Sequence, residues 1–168
     1  VAEIKNAGEQ TATEFTEDGE KKALSLDGSS WLEVKKEDGS PLLTNVEELT
    51  VSYYSKVGRT ETNWAFYAAQ NNESQNPGAE KYVGILENNG SVTAERFLNG
   101  RQPSASGKAE NGWNHVVVVY GADETKIYVN GVLADTAANN GALTEILGSE
   151  SILQLGKANW GEGEYYLG

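Results

Sequence analysis

Three aromatic residues stand beside polar neighbours rather than inside apolar runs. Thr62-Asn63 precedes Trp64, Tyr67 follows on the same segment, and Lys157-Ala158-Asn159 leads into Trp160, with Tyr165 and Tyr166 just beyond. An aromatic ring offers an apolar face to the C–H side of a sugar ring, while neighbouring Asn, Arg, Glu and Asp side chains bond its hydroxyls. The same rings could instead plug a core, and the sequence leaves both readings open. Glu95-Arg96-Phe97, followed by Asn99-Gly100-Arg101, adds a guanidinium beside a ring and a carboxylate, suited to a bidentate contact or to a plain surface ion pair.

Other chemistry finds little support. Sugar cleavage usually needs two carboxylates flanking the scissile bond, but Glu47 and Glu48 are adjacent and point to opposite faces, and Glu162 and Glu164 flank a glycine. No catalytic residue is assigned. His115 is the only histidine, so a metal cluster or a serine–histidine couple would rest on one imidazole without a companion. Gly156, Gly161 and Gly163 precede no helix that could cradle a phosphate. Asp27-Gly28, with the carboxylates of Glu17–Glu20, could offer hard oxygens to Ca2+, although the spacing is not that of an EF-hand.

The elements that must position these groups are short and numerous. The chain has 168 residues, 19 of them Gly, with no Cys and no Met, and its formal charge is -12. One domain over 1–168 can bury a sufficient core without disulfide or metal. The negative charge argues against nucleic acid and against anionic membrane surfaces as partners. No segment has the roughly 18 apolar residues of a membrane span, and no signal peptide is read at the start. The start at Val1 favours a piece excised from a larger chain.

Period-two alternation dominates. Val46–Val57 sends Leu49, Val51, Tyr53 and Val57 to one face and Thr50, Ser52, Tyr54 and Lys56 to the other. Further strands are expected at Ala23–Leu26, Trp31–Val34, Trp64–Gln70, Lys81–Glu87, Val92–Phe97, Trp113–Tyr120, Lys126–Val129, Val132–Thr136 and Ile152–Gly156. Asn130-Gly131 predicts a type I′ hairpin, and Asn89-Gly90 reads the same way. Val116–Val119 is apolar on both faces and belongs in a central strand. Only Ala142–Leu147 looks helical, and Lys5–Lys22, Gln70–Ala79 and Asn99–Gly112 read as loops. About ten residues per strand without long helices means an all-β sandwich or barrel.

Ala23-Leu24-Ser25-Leu26-Asp27-Gly28-Ser29-Ser30-Trp31-Leu32-Glu33-Val34 resembles the opening of a laminin-G-like domain of the concanavalin A-like lectin/glucanase superfamily. Glu48–Tyr54, Gly112–Val118, Lys126–Gly131 and Ile152–Trp160 follow in the order and spacing of that family's strands. The resemblance implies a two-sheet antiparallel β-sandwich, the concanavalin A-like jelly roll. It is closest to the versions appended to secreted bacterial glycoside hydrolases, which implies a non-catalytic, lectin-like carbohydrate-binding module. Such a module would be extracellular, covalently linked to catalytic or adhesive domains, and partnered by an oligo- or polysaccharide. Carried over by position, the ligand-binding residues are Trp64, Tyr67, Glu95, Arg96 and Trp160, with Asp27 near a calcium edge and Trp113 and His115 as scaffold. The Glu-x-Asp-x-x-Glu run of the superfamily's glucanases is absent from the sequence. By the same resemblance the chain lacks its first and last strands. A protein-interaction or spacer domain is the alternative function, and a small glycoside hydrolase the third.

Overall fold

A computed structural model describes residues 1–6, 14–18, 21–57, 60–70 and 81–159 of the chain. The expectations for Trp160 and for most of the 70–79 loop fall outside these residues.

The described chain forms thirteen strands: β1 (Ala2–Asn6), β2 (Glu14–Asp18), β3 (Lys21–Ser25), β4 (Ser30–Val34), β5 (Leu49–Ser55), β6 (Asn63–Ala69), β7 (Lys81–Asn88), β8 (Ser91–Leu98), β9 (Ala105–Lys108), β10 (Asn114–Tyr120), β11 (Glu124–Val129), β12 (Val132–Ala138) and β13 (Ile152–Leu155). They build a seven-stranded sheet in the order β1-β4-β13-β6-β7-β8-β9 and a four-stranded sheet in the order β12-β11-β10-β5, with β2 and β3 as a separate hairpin. Every pairing is antiparallel. This is the expected all-β sandwich.

Alternation decides which residues meet between the sheets. Phe66, Ala68, Val83, Ile85, Val92 and Ala94 from the large sheet pack on Val116, Val118, Tyr120, Ile127 and Val129 from the small one. Fully burying one such aliphatic side chain contributes about 1.5–3 kcal/mol. The four valines of β10 behave as a central strand requires. Val116 and Val118 are fully buried, while Val117 and Val119 are half-buried on the small sheet's outer face. His115 also lies on that face, with Nε2 3.0 Å from the Ser52 hydroxyl and its ring stacked 4.6 Å from Tyr54.

The sandwich closes along β9 and β12. There the Ser106 N–H donates to an Asp135 carboxylate oxygen at 3.0 Å, and a Cβ on Gly107 would fall 2.7 Å from Val129.

Asn130 (φ 52°) and Gly131 (φ 82°) both take left-handed backbone, as the type I′ hairpin demands. The turn between β7 and β8 differs: Gly90 alone has positive φ, at 137°, and Asn88 Oδ1 instead accepts from the Ser91 N–H and hydroxyl. The helical expectation for Ala142–Leu147 reduces to a single 3-10 turn at Leu143–Glu145. Two expected loops contain strands. β2 lies within Lys5–Lys22 and β9 within Asn99–Gly112, and neither shows an apolar alternation that sequence reading could detect.

Candidate functional site

The face of the large sheet turned away from the small one carries the candidate residues. Register places them in three rows. Glu95, Gly84, Tyr67, Gln154 and Glu33 run across β8, β7, β6, β13 and β4. Phe97, Tyr82, Ala69 and Ile152 form the row on one side, and Thr93, Leu86 and Trp64 the row on the other.

Trp64 and Tyr67 are three residues apart, a spacing that sends side chains to opposite faces of a regular strand. A β-bulge between Trp64 and Phe66 resets the alternation and brings both to the outer face. Its carbonyl at Ala65 is taken by the Gly156 N–H at 3.2 Å. Gly84 makes room for the indole: a Cβ there would lie 2.3 Å from Trp64 Cζ3. The ring therefore rests against the β7 backbone, edge-on to Tyr67 (centroids 5.6 Å) and Tyr82 (5.8 Å), while Tyr82 stacks on Phe97 at 5.2 Å.

This aromatic cluster is closed. Trp64 is 2% exposed and Tyr67 0%. Both side chains are thus placed as a packed floor beneath the sheet face rather than as open platforms.

Glu95 stands at the border between floor and solvent. Its Oε2 accepts from the Tyr82 hydroxyl at 3.0 Å, and its Oε1 lies 2.8 Å from Arg101 Nη1. Burial first, and the Glu95 carboxylate second, push the Tyr82 phenol far above its ordinary range, so it remains a donor. The turn through Asn99 (φ 54°) and Gly100 (φ 136°) folds Arg101 back to pair with Phe97, one residue row from Glu95. The Glu95 side chain is 8% exposed and that of Arg101 63%.

Beside Glu95 a depression of about 170 Å3 opens at the β7–β8 end of the sheet, lined by Thr62, Leu86, Asn88, Ser91 and Thr93 with Glu87 and Glu95. Glu87 turns its carboxylate inward, where Oε1 accepts from the Tyr53 hydroxyl at 2.7 Å and the Ser55 hydroxyl at 3.0 Å. Among the described residues no Lys or Arg lines this depression. It offers one partly engaged carboxylate, hydroxyls, a primary amide and the apolar side of Leu86.

Two of the expected site residues are engaged away from Glu95. Arg96 does not share a site with Glu95, because neighbours on a strand face opposite ways. Its guanidinium is 0% exposed between the sheets, bonded to the carbonyls of Gly121 (3.2 Å) and Gly141, and burial lowers its pKa. The residue that pairs with Glu95 is Arg101. Asp27 forms a local turn, with Oδ1 accepting from the Ser29 N–H and from the hydroxyls of Ser29 and Ser30, each at 2.9 Å. Burial works upward on its carboxyl, but those donors together with the Ser30 N–H outweigh it and hold the group below its usual value. Among the described residues no three His, Cys, Asp or Glu side chains gather into a metal-binding group.

Thr62, Leu86, Asn88, Ser91, Thr93 and Tyr82 were not singled out by sequence. The Asn89-Gly90 turn marked the hairpin end where five of the six converge, but nothing in one sequence marks which side of a hairpin is hollow.

A profile of the concanavalin A-like lectin/glucanases superfamily, the third laminin G family, matches residues 26–168, and the chain belongs to that family. Domain 4 of AbnA, a GH43 extracellular arabinanase from Geobacillus stearothermophilus solved with arabinotriose, superimposes with a TM-score of 0.70 at 18% identity, over 99% of this chain and 77% of that one. The CBM40 of the Ruminococcus gnavus IT-sialidase, bound to alpha2,3 sialyllactose, gives 0.68 at 16% identity over 86% and 83%. Domains LG4-5 of the mouse laminin alpha1 chain give 0.53 at 15% over 82% and 35%. At these identities the likeness establishes the fold. No curated protein sequence matches the chain.

Proposed function

We propose that the chain is a non-catalytic carbohydrate-binding module of a larger secreted bacterial protein, keeping linked catalytic or adhesive domains close to a glycan. The observation that carries this reading is the Glu95 carboxylate, oriented by Tyr82 and Arg101 at the edge of a polar depression on the outer face of the large sheet. Carbohydrate sites combine an apolar ring surface with a few placed polar groups. The similar domains from arabinanase and sialidase, solved with arabinotriose and sialyllactose, support the same reading.

Within this proposal Glu95 contacts the sugar, Trp64 and Tyr67 support it from below, and Trp160 is retained as a stacking ring on its sequence context alone. Arg96 serves the core. Asp27, the residue expected near a calcium edge, engages Oδ1 in its own turn, and the part of calcium in the contact is read from the EDTA arm of the test.

Affinity electrophoresis and glycan arrays with the folded protein test the proposal, run with and without EDTA. Retention on at least one glycan is expected, and its loss in EDTA would assign a calcium ion to the contact. A folded sample retained by no glycan would overturn it.

A further inference from the structure

We infer that the depression beside Glu95 selects a single neutral sugar ring and rejects sugars that carry a carboxylate. The inference rests on the carbohydrate-binding reading and names the ligand class of that site. Drug-sized ligands occupy cavities of about 300–1,000 Å3. A volume of about 170 Å3 is suited to one ring of a glycan, with the rest of the chain left in solvent.

Charge points to the class. Glu95 contributes a carboxylate to the wall and Glu87 holds a second one behind it, and no cation lines the space among the described residues. Two cations stand near it without lining it: Arg101, already 2.8 Å from Glu95 Oε1, and Lys108, exposed and in register with Ser91 on the next strand. An acidic sugar seated in the depression would bring a further negative charge against its two carboxylates with no donor pair in the lining to receive it, and like charges in a partly dry site repel. A neutral sugar meets the opposite situation. Each Glu95 oxygen is engaged once, by Arg101 or by Tyr82, and a carboxylate oxygen accepts about two hydrogen bonds. Each therefore has capacity for one further donor, and the exposed fraction of the side chain, 8%, faces the depression where a sugar hydroxyl would supply it. Two hydroxyls on adjacent carbons match the two oxygens of one carboxylate.

The remaining wall complements this. The Thr93 hydroxyl lies 3.0 Å from that of Ser106, and the Asn88 carbonyl oxygen is occupied by Ser91, which leaves the Asn88 amide N–H groups as donors to ring or glycosidic oxygens. Leu86, in register with Thr93, supplies the apolar patch for a C–H face.

Isothermal titration against matched neutral and acidic oligosaccharides tests the inference: arabino-, gluco- and galacto-oligosaccharides on one side, sialyllactose and oligogalacturonate on the other. A neutral ligand should bind, the acidic ones should bind at least about 10-fold more weakly, and Glu95→Gln should weaken the neutral ligand about 10-fold or more by replacing a charged acceptor with a neutral one. Backbone amide shifts in NMR spectra of the wild-type protein give a second readout independent of any variant, with the largest changes expected at Leu86, Asn88, Ser91 and Thr93. Preference for the acidic ligands would overturn the inference while the carbohydrate-binding reading stands. So would neutral binding whose shifts lie away from these residues. Silence toward every sugar would remove that reading and the inference together.

Discussion

Replacing Gly84 with alanine puts the packing of the aromatic floor to a quantitative test. The new Cβ would sit 2.3 Å from Trp64 Cζ3, 3.0 Å from Cε3 and 3.4 Å from the Phe66 carbonyl oxygen. Carbon pairs pack best at about 3.5–4.0 Å, so the indole must withdraw by roughly an ångström. It has little room to do so, being 2% exposed and held edge-on by Tyr67 and Tyr82. Overpacking of this kind costs about 1–3 kcal/mol. A glycine-to-alanine change also stabilises by about 0.4–1 kcal/mol through the unfolded chain, because β7 backbone at this position is ordinary strand. The net expectation is a loss of about 1–2 kcal/mol, or some 2–8 °C in Tm for a chain of this size. Urea unfolding followed by far-UV circular dichroism gives the number. The decisive comparison repeats the substitution in a Trp64→Leu background, where the clash is gone and Gly84→Ala should become neutral or stabilising. Equal cost in both backgrounds would refute the placement of the indole over Gly84.

Two further perturbations reach beyond the floor. Burial first and Glu95 second raise the phenols of Tyr82 and Tyr120 above their ordinary value. Above about pH 10 the unfolded chain therefore releases two protons that the native state keeps, and stability should fall with a slope approaching roughly 3 kcal/mol per pH unit, with no effect at neutral pH. Tyr82→Phe should halve that slope, and a slope unchanged by the substitution would contradict the assignment. Arg96→Met should cost about 1–3 kcal/mol by leaving the Gly141 carbonyl without its donor, while the Gly121 carbonyl keeps the Asn139 amide at 3.0 Å. The folded fraction of that variant should still bind glycan with unchanged Kd, measured by titration well below its Tm.

Strands with strong alternation and turns with Asn-Gly were legible because both signals are local. β10 and the Asn130-Gly131 hairpin follow directly from four valines and two residues that tolerate positive φ. β9 was hidden because it is Ala-Ser-Gly-Lys, and its small residues are what the converging sheets require: Gly107 sits where a Cβ would meet Val129 and Ala134. The site was legible as a neighbourhood and not in its detail. Glu95 was singled out, but its partner was read from the adjacent residue, whereas the pleat sends Arg96 inward and the Asn99-Gly100 turn returns Arg101. The burial of Trp64 and Tyr67 depends on contacts between distant strands, which no local pattern encodes.

The bulge in β6 makes the face of the indole depend on whether one residue stays out of the ladder. Ala65 acts as a spacer between two registers, with Asn63-Trp64 counted in one and Phe66–Ala69 in the other. Deleting this single residue would leave both segments paired as they are, because Trp64 would then directly precede the inward-facing Phe66 and keep the outer face. Drawing Ala65 into the ladder would do the opposite: Asn63-Trp64 would slip by one partner, the indole would be driven toward the space between the sheets, and Asn63, whose amide now donates to the carbonyls of Glu61 and Glu87, would turn to the outer face. The large sheet keeps its aromatic floor when the spacer is removed and loses it when the spacer is paired.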